Sequence, residues 1–170
     1  MTTAVILIGI VGAVVWLMRR YNSVDVVIKR RLPVTIFIHA DFSDSLEFLD
    51  AVQEACDWWN NVTGLNAFLP FGDTGCGHYV HFIPAGGPLD GVVVVGDVVD
   101  HIHMDPVKAA SASTEQLKRT LQYELGRYLG LEEDVNFPRS VMFNGEDTSF
   151  KPELLEKDKE ILEAMYRVRD

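Results

Sequence analysis

Alternating apolar and polar positions predict three strands in this chain. Pro33–His39 alternates and is rich in β-branched residues, which is typical of a strand. Tyr79–Ile83 and Val99–Met104 repeat this pattern. Val92–Val95 is a continuous apolar run, which predicts a fourth strand that is central or fully buried.

A helical spacing of apolar residues follows the first strand. Ser43, Asp44 and Ser45 offer N-caps for a helix that runs to about Val62, and Gly64 supplies a stop signal. Four apolar residues step by four, three and four positions and predict one buried stripe, namely Phe48, Val52, Ala55 and Trp59. The neighbouring Trp58 points about 100° away and is expected to be partly exposed.

Two more helices are predicted towards the C-terminus. One starts at the cap Ser113–Gln116 and runs to Gly130, and the last spans about Pro152 to Tyr166. The order is strand, helix, three or more strands, helix, turn and helix. This order predicts an α+β fold with a mixed sheet packed on helices.

The N-terminus carries an uninterrupted apolar run from Ala4 to Met18. The run has no preceding basic residue and no good cleavage site, which favours an uncleaved transmembrane anchor over a signal peptide. We therefore predict an anchor at residues 1–20, a basic connector at 21–32 and a globular domain at 33–170. The membrane contact is assigned to residues 4–18.

Basic residues flank this run on its C-terminal side only, namely Arg19, Arg20, Lys29, Arg30 and Arg31. The positive-inside rule then predicts a single-pass membrane protein with its N-terminus outside and its domain in the cytoplasm, or facing the interior of a membrane-containing virion. Cys56 and Cys76 would be free thiols in the cytoplasm.

The rest of the chain is acidic. Residues 32–170 hold 10 basic and 24 acidic residues, a net charge of −14. Such a domain repels the phosphate backbone, so a nucleic-acid partner is disfavoured.

Four sequence blocks carry a resemblance to a known family. In chain order they are Trp59–Leu65, Asp100–Pro106, Leu121–Asp134 and Ser140–Met142. The third resembles the active-site helix of the metzincin zinc proteases, H-E-x-x-H-x-x-G-x-x-H, with Glu124 and Gly130 in place. The fourth resembles the Met-turn, and the set is similar to the matrixin branch. The resemblance implies a mixed, twisted sheet packed on two long helices and a C-terminal helix.

The three zinc-ligand positions of that pattern hold Tyr123, Arg127 and Glu133. Arginine stays cationic and repels a metal ion, and neutral tyrosine is a poor zinc ligand. The resemblance therefore implies a pseudoenzyme with no metal and no cofactor. We expect the Arg127 guanidinium to replace the metal in an ion pair with Glu124 and Glu133. Met142 of the Met-turn is expected in the core.

Three functions are compatible with this sequence. The first is a membrane-anchored, catalytically inactive domain that binds a protein or peptide partner, as an assembly or virion component. The second is a divergent metal-dependent hydrolase that uses Glu124 with a relocated metal on His101, His103 or Glu133, helped by His81 or His78. The third is a purely structural, oligomeric membrane protein. The oligomeric state itself is open.

Overall fold

A computed structural model describes residues 32–69, 79–84, 93–94, 99–143 and 151–166. Within these ranges the chain forms an α+β fold with one five-stranded sheet, as the order of elements predicts. The strands are β1 (Val34–Ile38), β2 (Phe68–Leu69), β3 (Tyr79–Pro84), β4 (Val93–Val94) and β5 (Val99–Met104). The helices are α1 (Ala40–Ser43), α2 (Leu46–Thr63), α3 (Pro106–Ser111), α4 (Thr114–Tyr128) and α5 (Glu156–Tyr166).

The sheet has the strand order β2-β1-β3-β5-β4. The first four strands are parallel, and β4 pairs antiparallel with β5 at the edge. The predicted mixed sheet is therefore present. Of the two alternatives predicted for Val92–Val95, a central strand or a fully buried one, the central position is wrong, because β4 lies at the edge of the sheet that the described residues form. A continuous apolar run does not encode a strand's place in the sheet.

The predicted transmembrane helix is corrected by the structure. In the described part of the chain, no helix has both the length and the apolar character needed to cross a membrane. Even the longest, α2, carries four acidic residues, and each Asp at the centre of a membrane helix costs about 2.5–3.5 kcal/mol. The single-pass membrane localisation is corrected with it. Residues 1–31, which include the apolar run and the basic connector, lie outside the described residues.

The two faces of the sheet differ in chemistry. Successive side chains of a strand point to opposite faces, so Val80, Phe82, Ile102 and Met104 share the face that is buried in the core. The helices pack on this face, and their buried residues join the same hydrophobic cluster. The opposite face carries the histidines of β3 and β5.

Helix α2 confirms the predicted stripe. Phe48, Val52, Ala55 and Trp59 are all buried. The Ser45 side chain caps the helix by accepting from the backbone N–H of Phe48, and Gly64 ends it with a left-handed φ of 65°. Trp59 donates its Nε1–H to the carbonyl of Gln122 at 2.8 Å, which ties α2 to α4. Trp58 is half-buried and meets the Trp59 ring edge to face, as expected.

Asn60 connects α2 to β2. Its Oδ1 accepts from the backbone N–H groups of Ala67 and Phe68 at 2.9 and 3.0 Å, and its Nδ2 donates to the Phe68 carbonyl at 2.8 Å. Ala67 and Phe68 are buried, so no water replaces these bonds. We expect Asn60→Ala to lower the free energy of unfolding by about 2–4 kcal/mol, because it leaves buried backbone groups unsatisfied.

Chemical denaturation measures this loss. The neighbouring Asn61 is exposed and supplies a matched control, since Asn61→Ala should change stability by less than about 0.5 kcal/mol. Equal effects of the two substitutions would contradict the assigned role of Asn60.

The turn after α4 is held from both sides. Arg119 of α4 is buried and donates to the carbonyls of Pro138 and Ser140 at 2.9 and 3.1 Å. Met142 accepts at its carbonyl from the Asp134 backbone N–H at 2.8 Å. The Asp134 carboxylate in turn meets Lys157 Nζ of the last helix segment at 2.6 Å.

The Asp134–Lys157 pair makes the fold sensitive to acid. Burial raises the pKa of Asp134, but hydrogen bonds from Lys157 and from the backbone of Asn136 outweigh it, so the net pKa lies below 3.8. A carboxyl whose pKa is depressed in the fold stabilises the protein above its unfolded pKa. That stabilisation is lost as the pH falls below 3.8.

Three short elements escaped prediction, namely α1, β2 and α3. Each spans between two and six residues, which is too short to show a hydrophobic period. The last helix begins at Glu156 rather than near Pro152.

Candidate functional site

The three positions that match zinc ligands in the metzincin pattern converge in space. Tyr123 and Arg127 are one turn apart on α4, and the Arg127 Cζ lies 5.8 Å from the centre of the Tyr123 ring. Gly130 has a φ of 96°, which turns the chain back after the helix. This turn brings Glu133 to Tyr123, whose hydroxyl donates a hydrogen bond to the Glu133 carboxylate.

Glu124 lies beside these residues, inside the protein. Its side chain is 7% exposed and its Oε2 is 3.5 Å from Nη1 of Arg127, which is 39% exposed. The guanidinium thus lies next to a buried carboxylate. The described contact of Glu133 is with Tyr123. The two carboxylates therefore have different partners, since Glu124 meets Arg127 and Glu133 meets Tyr123.

Tyr123 stays neutral in this cluster. Burial is the largest cause that raises the pKa of Tyr123 above 10.0. The Arg127 cation opposes the rise, while the carboxylates of Glu133 and Glu124 and the hydrogen bond to Glu133 add to it. A neutral phenol donates a hydrogen bond and does not supply a phenolate ligand.

We expect Arg127→Met to lower the free energy of unfolding by about 1–3 kcal/mol, because the buried Glu124 carboxylate loses a cationic neighbour. Thermal and chemical unfolding would measure the loss. The double variant Glu124→Gln/Arg127→Met should recover part of it, since the charge that needs the cation is gone. Unchanged stability of Arg127→Met would contradict the pairing.

The donors at this cluster do not fit a metal ion. In the described ranges, no group of three or more His, Cys, Asp or Glu side chains is placed to hold one. Among the three positions that match zinc ligands in the pattern, Arg127 contributes a guanidinium, whose fixed positive charge repels a metal ion. The two carboxylates, Glu124 and Glu133, therefore have a cation and a phenol as their neighbours instead.

The relocated metal site is not assembled around Glu124. His101 and His103 alternate along β5 with Ile102 and Met104, so they lie on the face of the sheet away from the helices. Met104, on the other face, lines the same cleft as Glu124. His81 lies beside His101, and His78 is outside the described residues.

A cleft of about 380 Å³ opens between α3 and α4. One wall is a face of α4 that carries Thr120, Tyr123, Glu124 and Arg127, and the apolar part of the lining includes Met104 and Leu117. Asp105 and Lys108 lie on the α3 side. Asp105 is also the N-cap of α3 and accepts from the backbone N–H of Val107 at 2.9 Å. The space is large enough for an amino-acid side chain with part of its backbone.

Gly126 is a structural residue that the sequence reasoning missed. A Cβ at this position would lie 2.4 Å from Sδ of Met142 and 2.7 Å from Cζ2 of Trp59. Met142 is fully buried there, as its expected core role requires. A glycine in the interior of a helix costs about 1 kcal/mol, and this cost was the available signal of a close contact.

No protein-family model matches the chain, and no curated protein shows significant similarity to it. The fold and the site define an α+β domain with a charged cleft that is lined by one face of α4. The expected viral origin has no support in these findings.

Proposed function

We propose that this protein is a catalytically inactive, metzincin-like domain that binds an extended segment of a protein partner in the cleft between α3 and α4. One observation carries the proposal. The positions that match the family's zinc ligands converge, but their side chains contact one another and Glu124 through a salt bridge, a hydrogen bond and a cation–π contact.

The site chemistry supports binding rather than hydrolysis. A general base of this kind acts on a water molecule that a metal ion activates. Here the buried Glu124 carboxylate has the Arg127 guanidinium as its neighbour at 3.5 Å instead. The same groups still offer charge and hydrogen bonds to a ligand.

The sheet supports the binding mode. The family's cleft runs along an edge strand, and an extended peptide adds to such an edge by backbone hydrogen bonds. In this chain β4 is an edge strand and contacts α4, which carries the cleft residues. The strongly acidic domain favours a protein partner over a nucleic acid.

A binding experiment with paired tryptophan variants tests the proposal. Thr120 lines the cleft, so Thr120→Trp should fill it and weaken capture of extended peptides from a random library at least tenfold, about 1.4 kcal/mol. Glu115 is exposed on the same helix and does not line the cleft, so Glu115→Trp is the control.

The same samples distinguish the hydrolase alternative. Mass spectrometry of the library should find no cleavage that Glu124→Gln abolishes, with or without added zinc. Cleavage that depends on Glu124 would contradict the proposal that the domain is catalytically inactive. Equal capture of peptide by the two tryptophan variants would show that the peptide does not bind in the cleft.

A further inference from the structure

Histidines form a row on the face of the sheet opposite the helices. His81 of β3 and His101 of β5 are in register on adjacent parallel strands, with ring centres 5.8 Å apart. His39, just after β1, lies 6.0 Å from the other side of the His81 ring. His103 is two residues further along β5, where its partner on β3 is Ile83. None of these residues belongs to the cleft.

The spacing of His81 and His101 suits a shared metal ion. Zinc binds an imidazole nitrogen at about 2.0–2.1 Å, so two rings that share one ion have centres about 5–6 Å apart. The observed 5.8 Å falls in this range. His39 is less available, because its Nδ1 already accepts from the backbone N–H of Asp41 and caps α1.

Both rings are suited to act as ligands. The His81 ring lies between the rings of His101 and His39, which places it next to a second imidazole on each side. The Nδ1 atoms of His101 and His103 are both buried without a hydrogen-bond partner in the described part of the chain, and the strand register places only His101 opposite His81. A neutral imidazole with an unused nitrogen is the form that binds zinc, copper and nickel.

We propose that His81 and His101 chelate one divalent transition-metal ion, such as Zn²⁺, on the outer face of the sheet. Water completes the coordination shell, because the described residues offer no set of three side-chain ligands. The net charge of −14 on residues 32–170 attracts a cation to this domain. The inference is independent of the function proposed for the cleft.

The Cys56 thiol and the cleft do not compete with this site for zinc. Cys56 does not compete for the ion, because burial raises the pKa of its thiol to about 12 and keeps it protonated. The cleft does not compete either, since Arg127 places a positive charge at the former ligand positions. Zinc that binds to the wild-type chain would therefore occupy the site at His81 and His101 and not the cleft.

Titration of the full chain with zinc chloride in a non-chelating buffer tests the proposal. Calorimetry should show one equivalent bound. His81→Gln and His101→Gln should each weaken binding at least about tenfold, the lower bound for disturbing even a ligand's outer-shell partner. His103→Gln, on the same strand and face, should bind as the wild type does.

Two further measurements separate loss of the site from loss of the fold. The metal-free variants should unfold at the wild-type denaturant midpoint. In the wild-type chain, zinc should shift the ring-proton NMR signals of two of the five histidines. Full binding by His81→Gln, or loss of binding in His103→Gln, would overturn the assignment.

Discussion

Replacing Tyr123, Arg127 and Glu133 with histidine is expected to create a zinc site in the cleft with a Kd below about 1 μM, or about 8 kcal/mol. The three positions already converge, through the helical turn between the first two and the turn at Gly130. The substitutions remove the cation that repels a metal and supply three neutral ligands, the number that catalytic zinc sites use. The wild-type cleft should bind no zinc.

This measurement needs a background in which only the cleft responds. The triple variant should therefore carry His81→Gln, which removes the proposed site on the sheet. A matched control carries histidine at positions 123 and 127 but has Glu133→Gln in place of the third histidine. It should bind zinc far more weakly, because it offers only two imidazole ligands in the cleft. A folded triple variant that binds no zinc would show that the resemblance to the metzincin helix does not extend to its geometry.

Gly126→Ala is expected to destabilise the fold by about 1–3 kcal/mol through overpacking. Alanine would normally stabilise a helix interior by about 1 kcal/mol relative to glycine, so the sign of the effect is informative. The added methyl would meet the Met142 thioether, which can move, and the Trp59 ring, which is held by its bond to Gln122. Chemical denaturation would measure the difference.

A double-mutant cycle identifies the contact. Met142→Ala alone should cost about 2–5 kcal/mol, because it leaves a cavity under α4. Combined with Gly126→Ala, the total loss should be smaller than the sum, since the new methyl fills part of that cavity. Additive losses would mean that Met142 does not limit the space at Gly126.

Much of the fold could be predicted from local patterns. The caps at Ser45 and Ser113, the stop at Gly64 and the stripe on α2 are signals within a few residues of the elements that they define. The edge position of β4 depends on pairing across the sheet, which its own apolar run does not reveal. The apolar run at residues 4–18 predicted a membrane helix, which the described structure does not contain.

The candidate site was predicted in part. Helical spacing was enough to pair Glu124 with Arg127, because i and i+3 residues are neighbours on any helix. The contact between Tyr123 and Glu133 needed the turn at Gly130, whose path the sequence does not specify in detail. Strand alternation places His101 and His103 on one face of β5. That this face is turned away from Glu124 could be stated only once the structure showed which face of β5 is buried.

The contacts between α5 and the turn after α4 have a consequence for biosynthesis. Lys157 neutralises Asp134, and Tyr166 donates its hydroxyl to the Leu129 carbonyl at 3.0 Å, so two residues of α5 fix both sides of the turn that carries Glu133. A ribosome delivers residues 114–142 before these partners exist. The turn that carries Glu133 can therefore be fixed in place only after α5 has been synthesised.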